Sequence, residues 1–111
     1  MNIGIKTDTD DTGRALLLVS GAIDVQSRDA LITAGRAALE SDAPALVLDL
    51  SEVTFMDSTG IGALVELGHD AEDAEVSFAL REPSARVTRI LTMTGLADAW
   101  PIELVDDGQA G

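Results

Sequence analysis

Two adjacent hydroxyls, Ser58 and Thr59, lie between Asp57 and Gly60 in the stretch LVLDLSEVTFMDSTGIG, residues 46–62. A hydroxyl beside a carboxylate can act as a nucleophile, accept a phosphate or cap a helix, and the surrounding residues discriminate among these. A serine nucleophile needs a base within hydrogen-bond reach, and the only histidine is His69. If Ser58 opens a helix that also carries His69, the two lie about three turns, or roughly 16 Å, apart, too far to share a proton. Thr59-Gly-Ile-Gly62 lacks the GxxxxGK[ST] spacing and any nearby lysine, so it is no phosphate-binding loop. Asp24, Asp49 and Asp57 are of the right type for a divalent-ion trio, but turn and capping roles account for them more simply. With no cysteine and one histidine, disulfides, thiolate metal sites and multi-histidine sites are excluded. The residues therefore indicate no enzyme, no cofactor and no metal.

What remains is a helix N-terminus. Asp and Ser are favoured caps because a side-chain oxygen accepts from the unpaired N–H groups of the first turn. Gly60 and Gly62 strip that turn of side chains and leave room for another backbone or protein. Phe55 and Met56 add apolar surface beside it. A phosphate is tolerated at such a position, where backbone N–H groups and the helix dipole favour an anion. Ser58 is thus a candidate for modification rather than catalysis, with Thr59 as second choice.

The elements that must hold this junction follow from periodicity. Residues 2–6 alternate as a half-buried strand, 7–13 form a turn cluster, and Ala15–Val19 form a second strand, giving a hairpin. Gly21–Asp24 leaves that strand. A helix is expected from Ser27 to about Ser41, with Ala30, Leu31, Ala34, Ala38 and Leu39 along its stripe, and Asp42-Ala-Pro44 stops it. The buried strand 46–56 runs into a helix from Ser58 or Thr59 to about Glu72, whose inward positions are Ile61, Leu64, Val65 and Gly68. The acidic run 70–75 is expected to fray, because the dipole disfavours anions at a C-terminus. A strand at 76–80 leads to a third helix capped by Ser84, with Val87, Ile90 and Leu91 inward and Gly95 as its stop. A turn at 97–101, a last short strand at 102–105 and a mobile tail over 106–111 complete the reading. Met93 and Trp100 read as core packing.

Strands alternating with helices after a hairpin imply an α/β domain. The expected architecture is a mixed β-sheet of four to five strands, with three to four helices packed mainly on one face. The 111 residues fit a single domain, 1–111, and the apolar fraction of 46% argues for a folded globule. No stretch resembles a signal peptide or a membrane span, so a soluble cytoplasmic protein, with a monomer favoured, is expected. Twenty acidic residues against seven basic ones give a net charge of −13. A chain so charged is repelled by nucleic acid and anionic membranes; the charge serves solubility or steers a basic partner.

The stretch 46–62 closely resembles the core signature of STAS domains, in particular the bacterial anti-sigma factor antagonists. Gly21-Ala-Ile-Asp24 is similar to that family's glycine-x-aliphatic-aspartate element. Val87–Leu96 resembles its third-helix motif, with Trp100 where phenylalanine is usual and Thr59 where a second serine is common. The resemblance implies a STAS-like fold and a regulator without catalysis. Its unphosphorylated form binds an anti-sigma factor that is a serine kinase and so releases the sigma factor. Phosphorylation of the serine matching Ser58 breaks the complex, a phosphatase restores it, and ATP belongs to the kinase. The implied partner surface is Asp24, Met56, Asp57, Ser58, Thr59, Gly60 and Ile61. The alternative within the family is a STAS subunit of a lipid-transport or larger signalling complex, without a phosphoserine switch.

Overall fold

The computed structural model describes residues 3–104. Its elements are β1 (Ile3–Thr9), β2 (Ala15–Ile23), α1 (Arg28–Leu39), β3 (Ala45–Met56), α2 (Ser58–Asp73), β4 (Ser77–Arg81), α3 (Ala85–Met93) and β5 (Ile102–Glu103). The five strands form one sheet in the order β1-β2-β3-β4-β5. The β1–β2 hairpin is antiparallel, and every other neighbouring pair is parallel. Parallel neighbours need a crossover, and α1, α2 and α3 supply them between successive strands. The expected mixed sheet is thus realised with five strands and three helices. Asn2, Val105 and the expected tail at 106–111 lie outside the described residues.

Strand alternation sorts the apolar residues onto two faces. Leu17, Val19, Leu46, Leu48, Leu50, Phe78 and Leu80 form the main core with Leu31 and Ile32 of α1, Ile61, Ala63, Leu64 and Leu67 of α2, and Val87 and Leu91 of α3. All three helices therefore bury their inner faces against one side of the sheet. On the other side Leu16, Val47 and Ala79 make a small separate cluster.

Several boundaries and facings differ from the sequence reading. β2 does not end at Val19 but continues to Ile23, bending at Gly21, whose φ of 92° lies where only glycine is unstrained. The β2–β3 register shifts at the same place. On α1 Leu31 is buried and Ala34, Ala38 and Leu39 pack against the core as expected, but Ile32 and Gly35 join them and Ala30 is exposed. Gly35 is there because Leu67 occupies the space its side chain would fill. Leu67 and Ala71 also belong to the inner face of α2. Met93 is not core: it ends α3 turned away from Val87 and Leu91 and is 77% exposed. Trp100 does pack, edge-on to Phe78 at 5.6 Å between ring centroids and against Gly68. The acidic end of α2 holds its helix to Asp73, since α1 provides countercharge. Arg36 reaches Asp70 at 2.8 Å and Glu66 at 2.6 Å, and Arg28 also pairs with Glu66.

A second ion-pair group ties the hairpin to the far strand. Arg14 donates to Asp10 Oδ2 at 2.6 Å and to Glu103 Oε2 at 2.6 Å. Thr12 and the Arg14 N–H donate to the same Asp10 carboxylate. The Arg14 guanidinium, followed by the Thr12 hydroxyl, holds the Asp10 carboxyl well below the usual carboxylate range. A depressed folded-state value means the contribution is complete above the unfolded value of about 4 and is lost as pH falls toward the folded one. Asp10→Asn is therefore expected to be less stable than wild type at neutral pH, the gap closing below about pH 4. Urea-unfolding midpoints of the two proteins measured from pH 7 to pH 3 check this, and a gap independent of pH refutes it.

Candidate functional site

Ile23 at the end of β2 pairs with Met56 at the end of β3. The residues that follow them, Asp24 and Asp57, therefore emerge side by side at one end of the sheet; Asp57 opens α2, and Asp24 opens the turn that leads to Ser27, the N-cap of α1. Asp57 is the N-cap of α2: the Thr59 and Gly60 N–H groups donate to its Oδ1 at 2.9 and 3.2 Å. Losing such a cap typically costs about 1 kcal/mol. Asp24 does the equivalent before α1. Its Oδ1 accepts from the Gln26 N–H at 3.0 Å and the Ser27 N–H at 3.2 Å. Ser27, the expected start of α1, is buried and acts differently. Its hydroxyl donates to the Ala22 carbonyl at 2.7 Å and accepts from the Asp24 N–H, which locks the loop.

Ser58 is the first residue of α2, and with Asp57 doing the capping its hydroxyl is left over. The side chain is exposed and takes no hydrogen bond from any described residue. It projects where the N–H groups of the first turn and the positive end of the helix dipole lie. An esterified phosphate can be carried there without disturbing the core. Thr59 is half-buried, which ranks it behind Ser58 as an acceptor. His69 is exposed near the other end of the same helix.

Three residues expected at the surface are not. Met56 is 2% exposed and belongs to the core, because its place in β3 turns it inward. Ile61 is buried for the same reason on α2. Gly60 is buried too, and its missing side chain serves an internal contact rather than an incoming protein. A Cβ there would lie 2.6 Å from the Ile23 carbonyl oxygen and 2.6 Å from Met56 Cγ. Gly62, by contrast, faces open space. The accessible corner consists of Asp24, Val25, Phe55, Asp57, Ser58, Thr59 and Gly62, with Val25 73% and Phe55 43% exposed. The sequence reading missed Val25; the only signal was a β-branched residue directly after a turn aspartate.

The corner thus joins two helix-opening carboxylates, a free hydroxyl and two exposed apolar side chains. Among the described residues no three His, Cys, Asp or Glu are grouped to hold a metal ion. No helix among them is long and apolar enough to cross a membrane.

A family model described as "Mlab, STAS domain" matches residues 7–106. An anti-sigma-B factor antagonist of Listeria monocytogenes is 31% identical over 111 residues, covering 100% of this chain and 97% of that protein. A crystal structure of an anti-sigma factor antagonist from Mycobacterium paratuberculosis superposes with a TM-score of 0.74 at 31% identity, covering 91% of this chain and 85% of that one. The structure of the Bacillus cell fate determinant SpoIIAA in its phosphorylated form shares the fold, with a TM-score of 0.71 at 15% identity over 96% of this chain and 95% of that one.

Proposed function

Since the chain belongs to the STAS domain family, we propose that it is an anti-sigma factor antagonist whose binding is switched by phosphorylation of Ser58. The unphosphorylated protein docks through the Asp24–Ser58 corner onto an anti-sigma factor that is itself a serine kinase, and the sigma factor is freed. The kinase brings ATP and transfers its phosphate to the Ser58 hydroxyl, the complex parts, and a phosphatase resets the cycle. The chain itself performs no catalysis, needs no cofactor and acts in the cytoplasm without nucleic acid or membrane as partner. The observation that carries this reading is the Ser58 hydroxyl, exposed and unbonded at the start of α2 beside the Asp57 cap. Support comes from the relatives that are named antagonists of anti-sigma factors.

The test is capture of the protein's complex from lysate of its own host, with the mass of the intact chain measured in the bound and free pools. A kinase in the bound pool, with phosphate at Ser58 confined to the free pool, is expected. A chain that is never phosphorylated and that co-purifies with a transport or other signalling assembly overturns the switch and leaves only the family.

A further inference from the structure

A cleft between the end of β3 and α3 is lined by Phe55, Met56, Ala85, Arg86, Arg89 and Ile90. Its composition runs against the rest of the molecule. The chain has 20 carboxylates and only seven basic side chains. Arg14, Arg28 and Arg36 are each held by carboxylates, yet Arg86 and Arg89 are exposed and form no ion pair with any described residue. They are three positions apart on α3 and so share one face of it. Arg86 also lies in the first turn of α3, where the helix dipole disfavours a cation, and that turn contains no acidic residue. Two like charges one turn apart cost stability, and no carboxylate among the described residues pairs with them. Beside them Phe55 keeps 43% of its surface in water, above a floor made by Met56 and Ile90.

We propose that this cleft is a docking surface for an acidic segment of a partner protein that also carries an apolar side chain. Each guanidinium can accept a carboxylate on two parallel N–H donors, and Phe55 with Ile90 takes the apolar side chain. The complementary charge is assigned to the partner because the described residues supply none. The field of the other carboxylates repels acidic peptides generally, so a segment retained here must meet both features at once. The proposal does not depend on Ser58 being modified.

The full chain, labelled with ¹⁵N, is titrated with a short synthetic peptide of alternating aspartate and leucine, and with the lysine–leucine counterpart as control. The acidic peptide is expected to shift the amide resonances of Phe55, Arg86, Arg89 and Ile90. Binding should weaken about tenfold or more in the Arg86→Glu/Arg89→Glu double variant and fall with added salt. That variant should melt no lower than the wild type, since neither side chain has an ion-pair partner to lose among the described residues and an acidic residue in the first turn of α3 is favoured by the dipole. Equal binding by wild type and variant, shifts elsewhere, or no binding of the acidic peptide overturns the proposal. So does equal competition by inorganic phosphate, which marks a plain anion site. The same shifts on concentrating the chain alone assign the cleft to a second copy and overturn it as well.

Discussion

Ser58→Asp is expected to weaken binding to the anti-sigma factor by roughly 30- to 1000-fold, while Ser58→Ala binds like the wild type. The hydroxyl makes no hydrogen bond with any described residue, so its removal is expected to leave the fold's stability unchanged. Placing charge there acts on the interface. A partner covering the corner must desolvate whatever the side chain carries, and an unpaired buried anion costs about 2 to 4 kcal/mol, which corresponds to that range of affinity. Asp57 and Asp24 flank the position and add like-charge repulsion, so the partner finds three anions where it had met two. Phosphate, with about −1.5 to −2 charges, acts in the same direction more strongly than aspartate. The helix itself tolerates the change because an anion in the first turn of α2 is favoured by the dipole. Melting temperatures of the three proteins should therefore agree while their affinities, read by calorimetry with the purified partner, diverge. Unchanged affinity for Ser58→Asp removes the switch. A parallel loss for Ser58→Ala makes the hydroxyl a contact rather than a control point.

The fold was legible in the sequence wherever one periodicity dominated. The first half of β3 is buried almost throughout and α2 buries residues at helical spacing, and the junction at Asp57–Ser58 falls where a capping aspartate meets the change of period. The reading failed where burial depends on a neighbour not adjacent in sequence. Met56 and Phe55 are both apolar and consecutive, and only Met56 is taken into the core, at the point where it pairs with the buried Ile23. Gly35 joined the stripe of α1 only because Leu67 of another helix packs on it. Nothing in the sequence set Arg86 and Arg89 apart from the other basic residues, since whether a cation is paired becomes visible only once the carboxylates around it are placed. The position of the hydroxyl was thus readable from local rules, and the surface around it was not.

The same substitution two residues apart on α2 is expected to change stability in opposite directions. Ala at a helical glycine site in open space should gain about 0.5 to 1 kcal/mol, by helix propensity and by reducing the freedom of the unfolded chain. Gly62 is such a site, with nothing within 4 Å of an added Cβ. At Gly60 the added carbon meets the Ile23 carbonyl oxygen and Met56 Cγ, each at 2.6 Å. The methionine chain can turn aside, but the carbonyl is backbone at the end of a central strand and cannot. Relief requires the start of α2 to move away from β2. Overpacking of this kind costs about 1 to 3 kcal/mol, so after the propensity gain Gly60→Ala should lose about 1 kcal/mol net, lowering the melting temperature by roughly 5 °C. The displaced element carries Ser58, and the atom it is pushed from adjoins Asp24. Gly60→Ala should therefore also bind the partner more weakly at temperatures where it is fully folded, although no charge has been altered. Thermal melts of the two variants check the first part: equal shifts of one sign mean that the close approach of α2 to Ile23 does not set the corner. Affinity measured well below the melting point checks the second, and wild-type binding by Gly60→Ala shows that the partner does not read the spacing between the Asp24 turn and Ser58.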